Sequence, residues 1–94
     1  MAKQSALSYV LRAKNRMKVL NALENDRKIS AQLEKETGMY KSHMNRTLKE
    51  LQEKKLVICI NPKDRSFKFY ELSHEGKKIL VQARKILEQL GRNA

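Results

Sequence analysis

The side chains best placed to do chemistry in this chain are hydrogen-bond donors, and they cluster. Between Met39 and Lys49 stand three cations, Lys41, Arg46 and Lys49, with Ser42 and Asn45 among them and no acid, while Glu34, Glu36, Glu50 and Glu53 lie on either side. If this stretch is helical, Met44, Leu48 and Leu51 recur at i, i+4, i+7 and form a buried face. The polar residues then share the opposite face. Arginine can take guanine bidentately and asparagine can take adenine, so Arg46 and Asn45 suit the edges of bases in a major groove. Lys41, Ser42 and Lys49 suit phosphates, and Tyr40 suits either role. The bland alternative is an ordinary solvated helix face. His43, beside this patch, reads as a surface or packing residue that could also touch phosphate or base.

Other chemistries find no support. There is no paired-acid arrangement, no nucleophile with its base and no glycine-rich phosphate loop, so an enzyme is not expected. A single cysteine, Cys59, excludes an internal disulfide and a thiolate cluster. With His43 and His74 the only histidines, no metal site and no cofactor are expected. Cys59 fits a strand residue in or near the core.

The elements that must position the polar face follow from periodicity. The chain has 94 residues, a length that suits one domain. Residues 5 to 25 read as helix, in one piece or two, with Ala6, Val10, Ala13, Met17, Leu20 and Leu23 advancing by three or four. Asn25-Asp26 breaks the pattern. A short helix begins near Ser30, as N-cap, and Gly38 stops it. The third helix runs from about Lys41 to Lys54-Lys55. Leu56 to Ile60, rich in β-branched residues, and Ser66 to Leu72 read as two paired strands, and Pro62 suits the second position of the turn between them. Ser73 caps a final helix that ends at Gly91. The fold class is therefore mainly α with a small β-hairpin, in the order helix, helix, helix, strand, strand, helix.

Composition narrows the partner. Lys and Arg number 21 against 10 Asp and Glu, a formal charge of +11. Such a balance favours a polyanion, either nucleic acid or an anionic membrane surface, although solubility or a high-temperature lifestyle would also account for it. No apolar run has the length of a membrane span, and the N-terminus lacks a signal-peptide core, because Ser8, Arg12 and Lys14 interrupt it. A cytoplasmic, DNA-associated location is expected.

The order and spacing resemble the winged helix-turn-helix of bacterial and archaeal transcription regulators, in the MarR/ArsR style. The matching pieces are Arg16-x-x-Val19-Leu20-x-x-Leu23, Leu33-x-x-x-x-Gly38-Met39, and Ser42-x-Met44-x-Arg46-x-Leu48-x-x-Leu51-x-x-x-x-Leu56-Val57. Asp64-Arg65 and Leu72-Ser73-x-x-Gly76 follow in register. Small stand-alone regulators of archaea and their viruses look similar. The resemblance implies a homodimer on double-stranded DNA that regulates transcription as a repressor, with residues 29–51 as helix-turn-helix and 56–72 as the wing. Two positions depart from it. Glu34 stands where a small residue is usual at the crossing of two helices, and Lys55 stands where glycine is frequent.

Within that frame, Lys63, Arg65 and Lys68 read as wing contacts to backbone or minor groove. Ser30 and Gln32 open a helix whose amides could hold a phosphate. Phe67, Phe69 and Tyr70 read as sheet packing. Arg12, Lys14, Arg16 and Lys18 either extend the electrostatic footprint or keep a helix soluble. Residues 1–12 and 79–94 carry apolar side chains beyond what a small core needs: Leu7, Val10, Leu11, Ile79, Ala83, Ile86, Leu87 and Leu90. They read as a dimer interface, since pairing under two-fold symmetry would remove them from water. A winged-helix module for protein or RNA, or an indifferent DNA-packing protein, is the alternative reading.

Overall fold

The computed structural model describes residues 5–92. Their elements run α1 (Ala6–Leu11), α2 (Lys14–Ala22), β1 (Lys28–Ile29), α3 (Ser30–Thr37), α4 (Lys41–Glu53), β2 (Val57–Cys59), β3 (Phe69–Leu72) and α5 (His74–Arg92). The first helical stretch is two helices. Its break falls at Arg12-Ala13, where the extended backbone of Ala13 redirects the chain.

Leu20 of α2 and Leu23 at its C-cap, Leu33 of α3, Met44, Leu48 and Leu51 of α4, and Leu56, Leu72 and Leu80 share one buried cluster. Full burial of such a side chain contributes about 1.5 to 3 kcal/mol. The spacing of Met44, Leu48 and Leu51 therefore fixes which side of α4 faces inward and leaves the polar side outside.

The sheet has one strand more than a hairpin. It is antiparallel in the order β1-β3-β2, with Ile29 opposite Phe69 and Cys59 opposite Tyr70. β1 is two residues long and runs directly into α3, too short to leave an alternation in the sequence. It stitches the entry of α3 to the wing. In consequence Ile29, not Ser30, is the N-cap of α3, and Ser30 is already helical with no side-chain cap bond.

Two turns set the ends of the central helices. Gly38 closes α3 with φ +75, and its N–H donates to Glu34 O at 2.9 Å. Lys55 follows α4 with φ 63. There the Leu56 N–H reaches Leu51 O and the Lys55 N–H reaches Gln52 O, both at 2.9 Å. This is the paired hydrogen bonding of a Schellman ending, which needs a left-handed residue between helix and strand. Lysine supplies it at a steric cost that glycine would not carry. Glu34, the other departure, is half-buried at its helix crossing.

The start of α5 locks onto this ending. The Ser73 hydroxyl accepts the Gly76 N–H at 2.9 Å, capping the helix, and donates to Lys55 O at 2.6 Å. Gly76 packs directly on the Leu56 carbonyl, where an added Cβ would collide with backbone.

The terminal helices are divided in their burial. Val10, Ile79 and Ala83 are enclosed by the chain's own core, so they present no surface to a second copy. The sequence stripe combined core residues with exposed ones because both lie on one helical face. Leu7 and Leu11 pack half-buried against the core, and Ile86 is half-buried. Leu87 and Leu90 remain exposed, at 44% and 61%.

Candidate nucleic-acid interface

At 3.6 residues per turn, Ser42, Arg46 and Lys49 fall on the line of α4 opposite Met44, Leu48 and Leu51. All three are exposed. Asn45 and Lys49 incline to the wing side of this line, where they border an open groove of about 380 Å³. Ser30 from α3 and Arg65 and Lys68 from the wing complete its walls. Five residues expected to touch nucleic acid, drawn from three separate elements, thus meet in one groove. Arg46 inclines to the opposite side, toward the start of α2.

Tyr40 is the N-cap of α4 and the most exposed large apolar side chain among the described residues, at 85%. Lys41 and Ser42 stand beside it in the first turn of the helix, which contains no acid. Gln32 is not brought to the groove. It borders a cleft with Asp26, Arg27, Glu71 and Lys77, a mixed-charge setting. Lys63 is exposed at the wing tip and does not line the groove.

The wing is built to hold its basic residues still. The Asp64 N–H donates to Asn61 O at 3.0 Å, closing a turn with Pro62 in second position, as the sequence predicts. One Asp64 carboxylate oxygen accepts the N–H groups of Ser66 and Phe67, at 2.7 and 3.0 Å. Those backbone donors, Phe67 first, hold the carboxyl below its ordinary value. Asn61 bridges the strand ends, donating to Phe67 O at 2.6 Å and accepting from the Phe69 N–H at 2.7 Å. Asp64 therefore acts on the wing's shape, and Lys63 and Arg65 enter no ion pair among the described residues. Of the three wing aromatics only Tyr70 packs against the core. Phe67 is 60% exposed in the loop that precedes β3, and Phe69, the first residue of β3, is also exposed.

Charge pairing is distributed in a telling way. Among the described residues, ion pairs form between Lys28 and Glu36, Lys78 and Glu75, and Arg84 and Glu24, and Glu88 is also engaged. None involves Lys41, Arg46, Lys49, Lys63, Arg65 or Lys68. Basic side chains left unpaired on one surface keep their full attraction for an external anion.

The side of α4 toward the N-terminal helices is held by a different cluster. The Tyr9 hydroxyl donates to Glu50 Oε1 at 3.0 Å. The Arg16 guanidinium lies 3.7 Å from the Tyr9 ring centroid and donates to Tyr9 O at 2.6 Å. Burial, followed by the bond to Glu50, pushes the Tyr9 phenol up to about 12, against the opposing pull of Arg16. Arg16 is thus occupied in tying α1 and α2 to α4.

Gln52, Ser66 and Tyr70 also line the wing groove and were not among the sequence candidates. Gln52 was detectable, at i+7 from Asn45 on the same helical face. Tyr70 follows Lys68 at strand spacing, and its ring reads in the sequence as sheet packing first, with a contact role if exposed. Among the described residues no cluster of three or more metal-binding side chains forms, and no helix is long and apolar enough to cross a membrane.

Comparison with known proteins adds the fold. No protein-family model matches the sequence, and no curated protein matches it at significant similarity. Solved structures do match. The PcaV transcriptional regulator of Streptomyces coelicolor, in complex with its natural ligand, superposes with TM-score 0.77 at 17% identity. That match covers 85% of this chain, which spans only 58% of PcaV. The homodimeric winged helix-turn-helix DNA-binding domain of Mycobacterium bovis Mb0332, a possible ArsR-family transcriptional regulator, gives 0.75 at 16% identity, covering 100% and 96% of the two chains. NadR in complex with 4-hydroxyphenylacetate gives 0.71 at 21%, covering 99% and 89%. With helix-turn-helix and sheet in the same arrangement, the chain has the winged helix-turn-helix fold of these proteins.

Proposed function

We propose that this chain is a sequence-specific double-stranded DNA-binding transcription regulator, acting as a homodimer in the cytoplasm and repressing by occupying its site. The observation that carries this is the groove in which Ser30, Asn45, Lys49, Arg65 and Lys68 converge, all free of ion pairs among the described residues. α4 enters the major groove, with Arg46 and Asn45 reading bases and Lys41, Ser42 and Lys49 gripping phosphates. Arg65 and Lys68 lie along the backbone or minor groove, with Lys63 beyond them at the tip. The exposed Leu87 and Leu90 at the end of α5 pair with a second copy, aided by half-buried Leu7, Leu11 and Ile86. The DNA-binding domain of Mb0332 (fragment 1-100), of similar fold and matched over 96% of that fragment, is homodimeric.

The test is selection of duplexes from random DNA at two salt concentrations. A palindromic site with half-sites about one helical turn apart is expected, with affinity falling steeply as salt rises. Tight binding without any enriched sequence would favour a DNA-packing role, and absence of duplex binding would refute the proposal.

A further inference from the structure

The wing groove accounts for one side of α4. On the other side, α4 and the start of α2 enclose a second open cleft, of about 470 Å³, lined by Lys14, Asn15, Lys18, His43 and Arg46 among others. We infer that this cleft is a second phosphate-binding face, taking the DNA backbone on the side of α4 away from the wing. The inference rests on the DNA-binding reading above and extends its contact surface to residues of α2.

Charge and geometry both support it. Arg16 also lines the cleft but is occupied by Tyr9. Lys14 and Lys18 are exposed and enter no ion pair among the described residues, while Arg46 borders the cleft from the base-reading face of α4. The acid of the cleft, Glu50, accepts the Tyr9 hydroxyl, and the first turn of α2 contains no other. Asn15 Nδ2 lies 3.4 Å from His43 Nδ1, joining α2 to α4 across the cleft. Asparagine and histidine are both common partners of phosphate oxygens through their N–H groups. A helix with side chains is about 10 to 12 Å across, and the major groove is about 12 Å wide. A helix seated there has a phosphate backbone on each flank. The wing groove faces one flank, and the α2 cleft faces the other.

The experiment compares the full chain with its Lys14→Gln/Lys18→Gln variant on a selected duplex and on a random one, across a salt series. Both lysines are exposed, so an unchanged melting temperature is expected. Affinity should fall by the same factor on both duplexes, and the log–log salt slope should flatten by about 0.9 for each lysine removed. The sequence preference in selection should not change. Lys77→Gln/Lys85→Gln, on exposed positions of α5, serves as control and should leave the slope unaltered. A second measurement replaces single phosphates of the selected duplex with neutral methylphosphonates. Positions that weaken the native chain but not the double variant locate the contact. A slope unchanged from the native chain, or no phosphate that falls silent in the variant, overturns the inference while leaving the regulator reading intact. A native chain that binds no duplex removes both.

Discussion

Arg84 and Arg46 carry the same guanidinium in opposite circumstances. On α5, Arg84 is held by Asn21 Oδ1 and by both carboxylate oxygens of Glu24, the latter at 2.6 and 2.7 Å. The pair lowers the Glu24 carboxyl and raises the Arg84 guanidinium, in each case chiefly through the hydrogen bonds between them. On α4, Arg46 is exposed and without an ion pair among the described residues. The first seam joins α5 to α2 and completes its own hydrogen bonding. The second face is equally polar but leaves its donors open. A charge satisfied within the chain belongs to the architecture; one left open beside a groove is available to a partner. Substitutions in the seam should therefore act on stability alone, and substitutions on the open face on binding alone.

The largest effect on stability is expected where the start of α5 packs on the Leu56 carbonyl and admits no side chain. Gly76→Ala places a methyl group against the Leu56 carbonyl, so backbone must move. A loss of about 2 to 3 kcal/mol is expected, readable as a lower midpoint in urea denaturation. At about 4 to 8 °C per kcal/mol for a domain of this size, the melting temperature should fall by roughly 8 to 24 °C. A smaller effect of opposite sign is expected at Lys55. Lys55→Gly relieves the left-handed strain at φ 63, offset in part by glycine's greater freedom in the unfolded chain, for a net gain of about 0.5 to 1 kcal/mol. The smallest is Arg84→Ala. Both partners are well exposed, so only a slight decrease in melting temperature is expected, with DNA affinity unaltered. A loss of DNA affinity in Arg84→Ala, with stability intact, would break the distinction between the two regions.

The comparison also explains what could be read in the sequence. The central helices were legible because Leu33, Met44, Leu48 and Leu51 keep strict helical spacing and Gly38 marks a stop. The wing was legible from Pro62 and from the β-branched richness of Leu56 to Ile60. β1 was not, since two residues carry no period. It becomes a strand only through pairing with β3. Likewise the N-cap shifted from Ser30 to Ile29 because sheet pairing, not local side-chain capping, sets that entry. The terminal stripes marked an apolar face correctly but could not separate Val10, Ile79 and Ala83, which the chain covers itself, from Leu87 and Leu90, which it leaves exposed. Arg16 and Lys18 are two residues apart and alike in type. Only packing distinguishes the one clasped to Tyr9 from the one left open.

The central claim is that the acid-free face of α4 reads DNA sequence. Arg46→Ala tests it most directly, with affinity measured on a selected duplex and on a random one, and the melting temperature recorded alongside. The account predicts unchanged stability, a loss of about 1 to 3 kcal/mol on the selected duplex, a smaller loss on the random one, and relaxed preference at one base pair per half-site. Equal losses on the two duplexes would contradict it, because Arg46 would then be a contact to the backbone alone.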